Sequence, residues 1–456
     1  MKVTAILLAA GQGTRMKSNV PKVLHPIAGK PMIWHSLEAI KGCTTEKPVV
    51  VVGHGADEVL KFLGEAAHSL VQEPQLGTAH AVLQAESLLK GETDLVVVSY
   101  ADMPLLRRET LQELVETQKN NRGPMSMLTV IADDPRGFGR ILRKADGSVE
   151  SIVEEYVASP EQLKIKELNV GGYCFKADWL WGALHHIPKN PRKGEYYLTD
   201  IVELAVKDKL PVQAVVMQDV QEAIGINSRL HLAEVEAALR LRINHQHMLN
   251  GVSMLDPAST YIEAGVKIGK DTTIMPNTYL QGKVTVGEGC VLGPNTIIRD
   301  SSIENRCRIL ASVLEGAQLE DDVDIGPFAH LRKGAHLMKG VHMGNFGEVK
   351  DSTLGPGVKM GHFSYIGNAA IGADTNIGAG TITCNFDGEH KHPTEVGENV
   401  FIGSDTMLVA PLKIGAGART GAGAVVTKDV PPDTLVVGMP ARAIRKLERK
   451  SKKDNH

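Results

Sequence analysis

The stretch LGPGVKMGHFSYIG, residues 354–367, decides how the second half of this chain is read. An aliphatic residue followed by glycine recurs every six positions, at Leu354-Gly355, Met360-Gly361 and Ile366-Gly367. Val396-Gly397, Ile402-Gly403 and Ile414-Gly415 resume the phase, and Ile268-Gly269, Val286-Gly287 and Ile325-Gly326 belong to the same pattern. Hexapeptide repetition predicts a parallel β-helix: three hexads close one triangular coil, and the inward aliphatic residues of stacked coils form a continuous core. An aromatic content of 4% suits so narrow an interior. Between Ile377 and Val396 the phase breaks, and AGTITCNFDGEHKHPTE is expected to leave the prism as a loop, either a functional excursion or a tolerated insertion.

The first half has a different grammar. VTAILLAA, PVVVVG and DLVVVSYAD read as buried parallel strands, and PMIWHSLEAI, ADEVLKFLGEAA and GTAHAVLQAESLL as amphipathic helices between them. In such an α/β sheet, ligands bind beyond the carboxyl ends of the strands. There the first strand runs into LLAAGQGTRMKSNVPK, residues 7–22. Gly11 and Gly13 permit a tight turn and close approach to backbone N–H groups, as a phosphate loop requires. Met16 stands where a dinucleotide fingerprint has its third glycine, and no Gly-Lys-Ser/Thr follows, which excludes the two common phosphate loops. From Ser228 to Asn250 the chain reads as one connecting helix, with Leu232, Val235, Leu239 and Ile243 at helical spacing. Its histidines, His231, His245 and His247, lack the spacing of a helical metal site. The domains are therefore expected at 1–227 and 251–456, with a linker helix at 228–250.

With 456 residues the chain exceeds one hydrophobic core, and a formal net charge of −3 gives no reason to expect nucleic acid or an anionic membrane as partner. The five cysteines, Cys43, Cys174, Cys290, Cys307 and Cys384, have neither disulfide-framework nor zinc spacing, so a reducing, cytoplasmic setting is expected. MKVTAILLAAG has one lysine before a short apolar run and no cleavage site, and reads as a first strand, not a leader. No apolar run approaches the roughly 18 residues of a membrane helix.

LAAGQGTRM followed by PK resembles the signature of sugar-nucleotide pyrophosphorylases. Joined to the hexapeptide half, the whole chain resembles the bacterial bifunctional N-acetylglucosamine-1-phosphate uridylyltransferase/glucosamine-1-phosphate acetyltransferase family. The resemblance implies a Rossmann-like nucleotidyltransferase domain, a left-handed β-helix, a homotrimer, Mg2+ as metal, and UTP and acetyl-CoA as co-substrates. In uridylyl transfer a sugar 1-phosphate oxygen attacks the α-phosphorus of the triphosphate, so negative charge must be gathered, aligned and neutralised. By the resemblance Leu8, Ala10, Gly11 and Gly13 cradle the nucleotide, Arg15 binds triphosphate oxygens, and Lys22 sits near the reacting phosphates. Gln72, Gly77 and Thr78, in QEPQLGTAHA, are nucleotide contacts, Thr78 reading equally as a helix cap. Gly139, Glu154, Asn169 and Asn227 hold the sugar phosphate, with Glu155 a solvated neighbour. Asp102 and Asn227 carry the magnesium, an ion that takes few protein oxygens; their plain readings are a turn residue and part of a helix N-cap.

In the second half the amine of glucosamine 1-phosphate must attack a thioester, which calls for a base near pKa 7. The resemblance assigns this role to His362, the sugar phosphate to Arg332 and Lys350, and further sugar contacts to Tyr365 and Asn376. Ala379, Asn385, Phe386, Ser404, Ala422 and Lys391 are its acetyl-CoA positions, with Lys391 reaching towards a neighbouring subunit. Phe386 stands where the family often has tyrosine, and Met439 where some relatives have an arginine that Arg442 or Arg445 would replace. The basic tail ARAIRKLERKSKKDNH reads as a CoA-phosphate attractor or a solvated terminus. Two other readings compete: a nucleotidyltransferase with the prism as scaffold, and a non-enzymatic interaction protein. The polar set in otherwise repetitive coils and the complete triphosphate set argue against them.

Overall fold

The computed structural model describes residues 1–191 and 193–446, and the chain forms two compact units, Met1–Leu239 and Arg240–His456. The helix Arg229–Leu249 contains the boundary between them.

The first unit is built on β1 (Val3–Ala9), β2 (Val49–Val52), β3 (His68–Val71), β4 (Leu95–Tyr100), β5 (Met125–Ile131), β6 (Glu167–Lys176) and β7 (Val212–Met217), in the spatial order β7-β5-β6-β4-β1-β2-β3. Both faces are covered. Along β1, Val3, Ala5, Leu7 and Ala9 enter one core and Ile6 and Leu8 the other, which explains the uninterrupted apolar run. β1 pairs in parallel with β2 and β4, and Leu8 lies opposite Tyr100, so the glycine loop after β1 and Asp102 after β4 leave the same edge of the sheet. The three strands read from the sequence are parallel as expected, whereas β6 runs antiparallel to β4 and β5. The β6–β5 register shifts between Asn169 and Tyr173, a bulge that breaks the side-chain alternation. Gly171, in the bulge, has φ 90°, and a Cβ there would stand 2.6 Å from Cε2 of Tyr100.

The second unit is a left-handed parallel β-helix whose strands fall into three sheets, the coils adding parallel strands to each, until the strand Ala441–Lys446 returns antiparallel to Thr434–Gly438. In the first sheet Ile274, Leu292, Ile309, Ile325, Met343, Met360, Ile377 and Ile402 pair in succession, one per coil, and all are buried in a single core. Each such burial is worth about 1.5–3 kcal/mol, and neighbouring coils are its main source, so stability accumulates coil by coil. The glycine after the aliphatic residue has a steric cause: a Cβ on Gly344 would lie 2.0 Å from the carbonyl oxygen of Gly361 on the next coil.

The excursion is shorter than the broken phase suggests. Ile382–Cys384 stays in the prism and pairs with Met407–Val409. The hexad rhythm is lost there because Thr383 takes an inward position; it is buried, and its hydroxyl donates to the carbonyl of Gly367 at 3.1 Å. The loop proper covers 385–393, closed by an antiparallel bridge between Phe386 and Lys391. Within it Asp387 accepts the N–H groups of Glu389 and His390, at 2.8 and 2.7 Å.

Candidate active sites

A cavity of about 640 Å³ opens beyond the carboxyl ends of β1 and β4. It gathers Leu8, Ala10, Gly11, Gly13, Arg15, Lys22, Gln72, Gly77, Thr78, Asp102 and Asn227, and adds Tyr100, Lys193 and Glu195. Gly13 has φ 62°, and a Cβ on it would come within 2.7 Å of Cβ of Lys22, so glycine lets the lysine stem cross the loop. The Lys22 ammonium then lies 2.5 Å from Oδ2 of Asp102 and 3.4 Å from Oδ1 of Asn227. A carboxylate and an amide oxygen thus already converge on a cation. Both are hard donors, and two are too few to hold magnesium without phosphate or water oxygens, so the pair fits an ion shared with a nucleotide. Among the described residues no cluster of three or more His, Cys, Asp or Glu offers a self-sufficient metal site.

The amide nitrogen of buried Gln72 donates to the carbonyl of Gly77 at 2.9 Å, which leaves its oxygen as an acceptor. Thr78 begins the helix Thr78–Leu83, but its hydroxyl does not cap that helix: it accepts the N–H of Leu198 at 2.9 Å, 120 residues along the chain.

Gly139, Glu154 and Asn169 form a second group beside this cavity. The Asn169 N–H donates to the carbonyl of Gly139 at 2.9 Å, and its amide nitrogen to Oη of Tyr173 at 2.9 Å. Thr199 donates to Oε1 of Glu154 at 3.1 Å. Burial, then the charges of Asp102 and Glu154, push the Tyr100 phenol well above its usual range, so it remains a neutral donor beside both groups. Burial, with Glu203 and Glu154 adding to it, raises Asp200 to about 6. Glu155 is not merely a solvated neighbour. Its carboxylate accepts Nη1 of Arg140 at 3.0 Å, and Arg140 is buried, so the pair ties together the two ends of the antiparallel strands Arg140–Arg143 and Val149–Val153, which Gly139 and Glu154 flank.

Tyr100 and Thr199 escaped the sequence reading, Tyr100 because it closes an apolar strand and Thr199 because no spacing in EYYLTD singles it out. The bulge supplies a prediction. Gly171→Ala is expected to destabilise the first unit by about 1–3 kcal/mol through a strained positive φ and the clash with Tyr100. A lowered midpoint of urea unfolding, with an unchanged slope, would register it.

On the prism, Asn345 and His362 pair directly across successive coils. The strand partners Met360–Ile377 and Ile377–Ile402, with Phe401–Arg419 beyond, extend this position into one file: Asn345, His362, Ala379, Ser404 and Ala422. The three small residues lie in register above an exposed His362. Arg332 and Lys350 also follow one another on neighbouring coils, since Leu331 pairs with Val349 and Lys350 with Gly367. Stacked like charges are unfavourable in a sheet unless an anion joins them. Lys391, then Arg332, hold the Lys350 ammonium below the usual lysine range, which places Lys391 beside these residues of its own chain. Glu348 accepts Nη1 of Arg332 at 2.8 Å, and Tyr365 pairs with Glu348 on the next coil. Asn376 stands apart, in the first sheet, whereas Arg332, Lys350 and Tyr365 follow the second. Asn385 is buried and donates to Asn368 at 2.6 Å, while Phe386 is exposed on the loop. Met439 is exposed, and Arg442 and Arg445 lie on the return strand Ala441–Lys446. The end of the basic tail, 447–456, falls outside the described residues.

Residues 5–149 match the MobA-like NTP transferase domain family, and 265–300 and 393–428 match the bacterial transferase hexapeptide family. The bifunctional protein GlmU of Geobacillus sp. (strain WCH70) is 44% identical over 100% of both chains. The chain belongs to the GlmU family of bifunctional proteins. GlmU of Geobacillus thermodenitrificans is 46% identical over 98% of this chain and 97% of its own. GlmU of Heliobacterium modesticaldum is 46% identical over 96% and 95%. As a GlmU-family chain with an NTP-transferase half and a hexapeptide-transferase half, it is a bifunctional transferase acting on nucleotide and other small-molecule substrates.

Proposed function

We propose that the chain carries out two consecutive transfers ending in UDP-N-acetylglucosamine: acetyl transfer from acetyl-CoA to glucosamine 1-phosphate on the prism, then uridylyl transfer from UTP in the α/β domain. The observation that carries this reading is that each unit holds its own anion-collecting cluster on its own scaffold, Arg15 with Lys22 in one and Arg332, Lys350 and Lys391 in the other. On this reading the domain limits are 1–227 and 251–456, with the linker helix at 228–250 between them.

In uridylyl transfer, backbone N–H groups at Gly11 and Gly13, with Arg15, hold the triphosphate, and Lys22 neutralises phosphate charge. The free oxygen of Gln72 accepts a base N–H. Gly139, Glu154 and Asn169 orient the sugar so that its phosphate oxygen attacks the α-phosphorus in line, and pyrophosphate leaves. Asp102 and Asn227 would hold Mg2+, which when bound supplies further neutralisation of the triphosphate.

In acetyl transfer, Arg332, Lys350 and Lys391 hold the sugar phosphate, with Tyr365 and Asn376 at the sugar. His362 accepts a proton from the amine as its nitrogen bonds to the thioester carbon, and returns it to the CoA sulfur as the carbon–sulfur bond breaks. Ala379, Ser404 and Ala422 leave a thin lane for the pantetheine arm, flanked by Asn385 and Phe386.

A homotrimer is supported by the separation of Asn376 from the other sugar contacts, which a second chain would bridge. Phe328, Phe346 and Phe363 are each more than half exposed, and the rings of the first two stack at 5.4 Å, an apolar column suited to burial against another copy. A cytoplasmic location is supported by five unpaired cysteines; among the described residues no helix is long and apolar enough to cross a membrane. The test is to supply purified protein with glucosamine 1-phosphate, acetyl-CoA, UTP and magnesium, and to follow free thiol and pyrophosphate separately. Both are expected, with pyrophosphate depending on acetyl-CoA; pyrophosphate released without any thiol would leave the prism a scaffold.

A further inference from the structure

We infer that Asn345 is a positioning residue of the acetyl-transfer site, its side-chain oxygen accepting Nδ1–H of His362 and thereby fixing the ring in the tautomer whose Nε2 takes the proton. The inference rests on the reading of His362 as base. Nδ1 of His362 lies 3.0 Å from Oδ1 of Asn345. A neutral imidazole carries one N–H, and the partner of one nitrogen decides which nitrogen is free. With the proton on Nδ1, Nε2 keeps its lone pair; with the proton on Nε2, the exposed nitrogen would be a donor and no base.

The contact is built into the fold. Asn345 and His362 are directly paired residues of consecutive coils, in the repeated tetrapeptides Met343-Gly344-Asn345-Phe346 and Met360-Gly361-His362-Phe363. Both backbones are held locally: the N–H of Phe363 donates to the carbonyl of Asn345 at 2.9 Å, and Oγ of Ser364 to the carbonyl of His362 at 2.8 Å. The coil itself has no need of an amide at this position, since Pro327 precedes Asn345 and Ala379 follows His362 at the matching places of their repeats. An asparagine stands where the histidine requires an acceptor.

The experiment compares Asn345→Leu, Asn345→Asp and His362→Ala in the full-length protein, with the urea-unfolding transition of each variant as the control for folding of the prism. Asn345→Leu is expected to lower kcat for acetyl transfer by about 10–100-fold, by analogy with the loss of groups that orient metal-bound histidines. Because the proposed role is exerted through His362, both KM values should stay within about twofold. Asn345→Asp, whose carboxylate accepts the same N–H, should recover most of the loss. In 15N-histidine NMR spectra, the resonance missing from His362→Ala identifies His362 and should show an unprotonated Nε2 in the parent, with that population reduced in Asn345→Leu. Parent-like kcat in Asn345→Leu, an equal loss in Asn345→Asp, or a protonated Nε2 in the parent would each overturn the inference. If His362→Ala retained acetyl transfer, the base assignment would fall and this inference with it; an inactive His362→Ala beside a fully active Asn345→Leu would overturn the inference alone.

Discussion

Asp102→Ala is expected to reduce uridylyl transfer on the order of 10³-fold or more, because on the proposed reading this carboxylate would hold the cation that neutralises the triphosphate, a contribution of several kcal/mol at about 1.4 kcal/mol per decade. The geometry gives the reason. Asp102 and Asn227 are the oxygens on which the Lys22 ammonium converges, and Asp102 supplies the only formal negative charge of the three. Without it, a cation in that seat has one amide oxygen from the protein, and Lys22 loses its ion-pair partner while remaining mostly buried. If Asp102 acts by holding magnesium, raising the magnesium concentration should restore part of the rate by mass action. Acetyl transfer by the same variant should be unchanged, and a parent-like urea-unfolding transition serves as the folding control. A parent-like pyrophosphate rate at the same magnesium concentration would remove Asp102 from the site.

Much of this organisation was legible in the sequence, for reasons that can be named. The strands β1, β2 and β4 are buried on both faces, so each appears as an unbroken apolar run with a loop at its carboxyl end, and Gly11, Gly13 and Asp102 could be placed on one edge. The coils repeat because each must fit the next, which made Leu354, Met360 and Ile366 readable as one core. What the sequence withheld depends on contacts between distant segments. Tyr100 packing on Gly171, Thr78 bonding Leu198, and Thr199 bonding Glu154 have no local period to announce them. The antiparallel course of β6 is similarly silent, since a buried strand has the same pattern in either direction. Thr383 misled in the opposite way: a polar residue at an inward position looks like the end of a repeat until its hydroxyl finds the Gly367 carbonyl. Asn345 was visible in MGNF beside MGHF, but only the pairing of the two coils gives that likeness a meaning.

His362→Ala is expected to slow acetyl transfer by 10²–10⁴-fold, about 3–5 kcal/mol, the range typical of a lost general base. Uridylyl transfer from N-acetylglucosamine 1-phosphate supplied directly should remain within about twofold, since sites with no shared partners behave nearly additively. The layout requires this independence: the glycine loop, Asp102 and Asn227 all belong to the unit Met1–Leu239, whereas His362 and the cations Arg332, Lys350 and Lys391 all belong to Arg240–His456. The two variants should therefore complement each other. An equimolar mixture of Asp102→Ala and His362→Ala should make UDP-N-acetylglucosamine from glucosamine 1-phosphate, with the acetylated intermediate passing through solution from one protein to the other. A lag in pyrophosphate release, shortened by adding N-acetylglucosamine 1-phosphate, would mark that passage. If His362→Ala abolished both half-reactions in a folded protein, one shared site would have to replace two, and the separation of Asp102 from His362 into different units would be left without a chemical role.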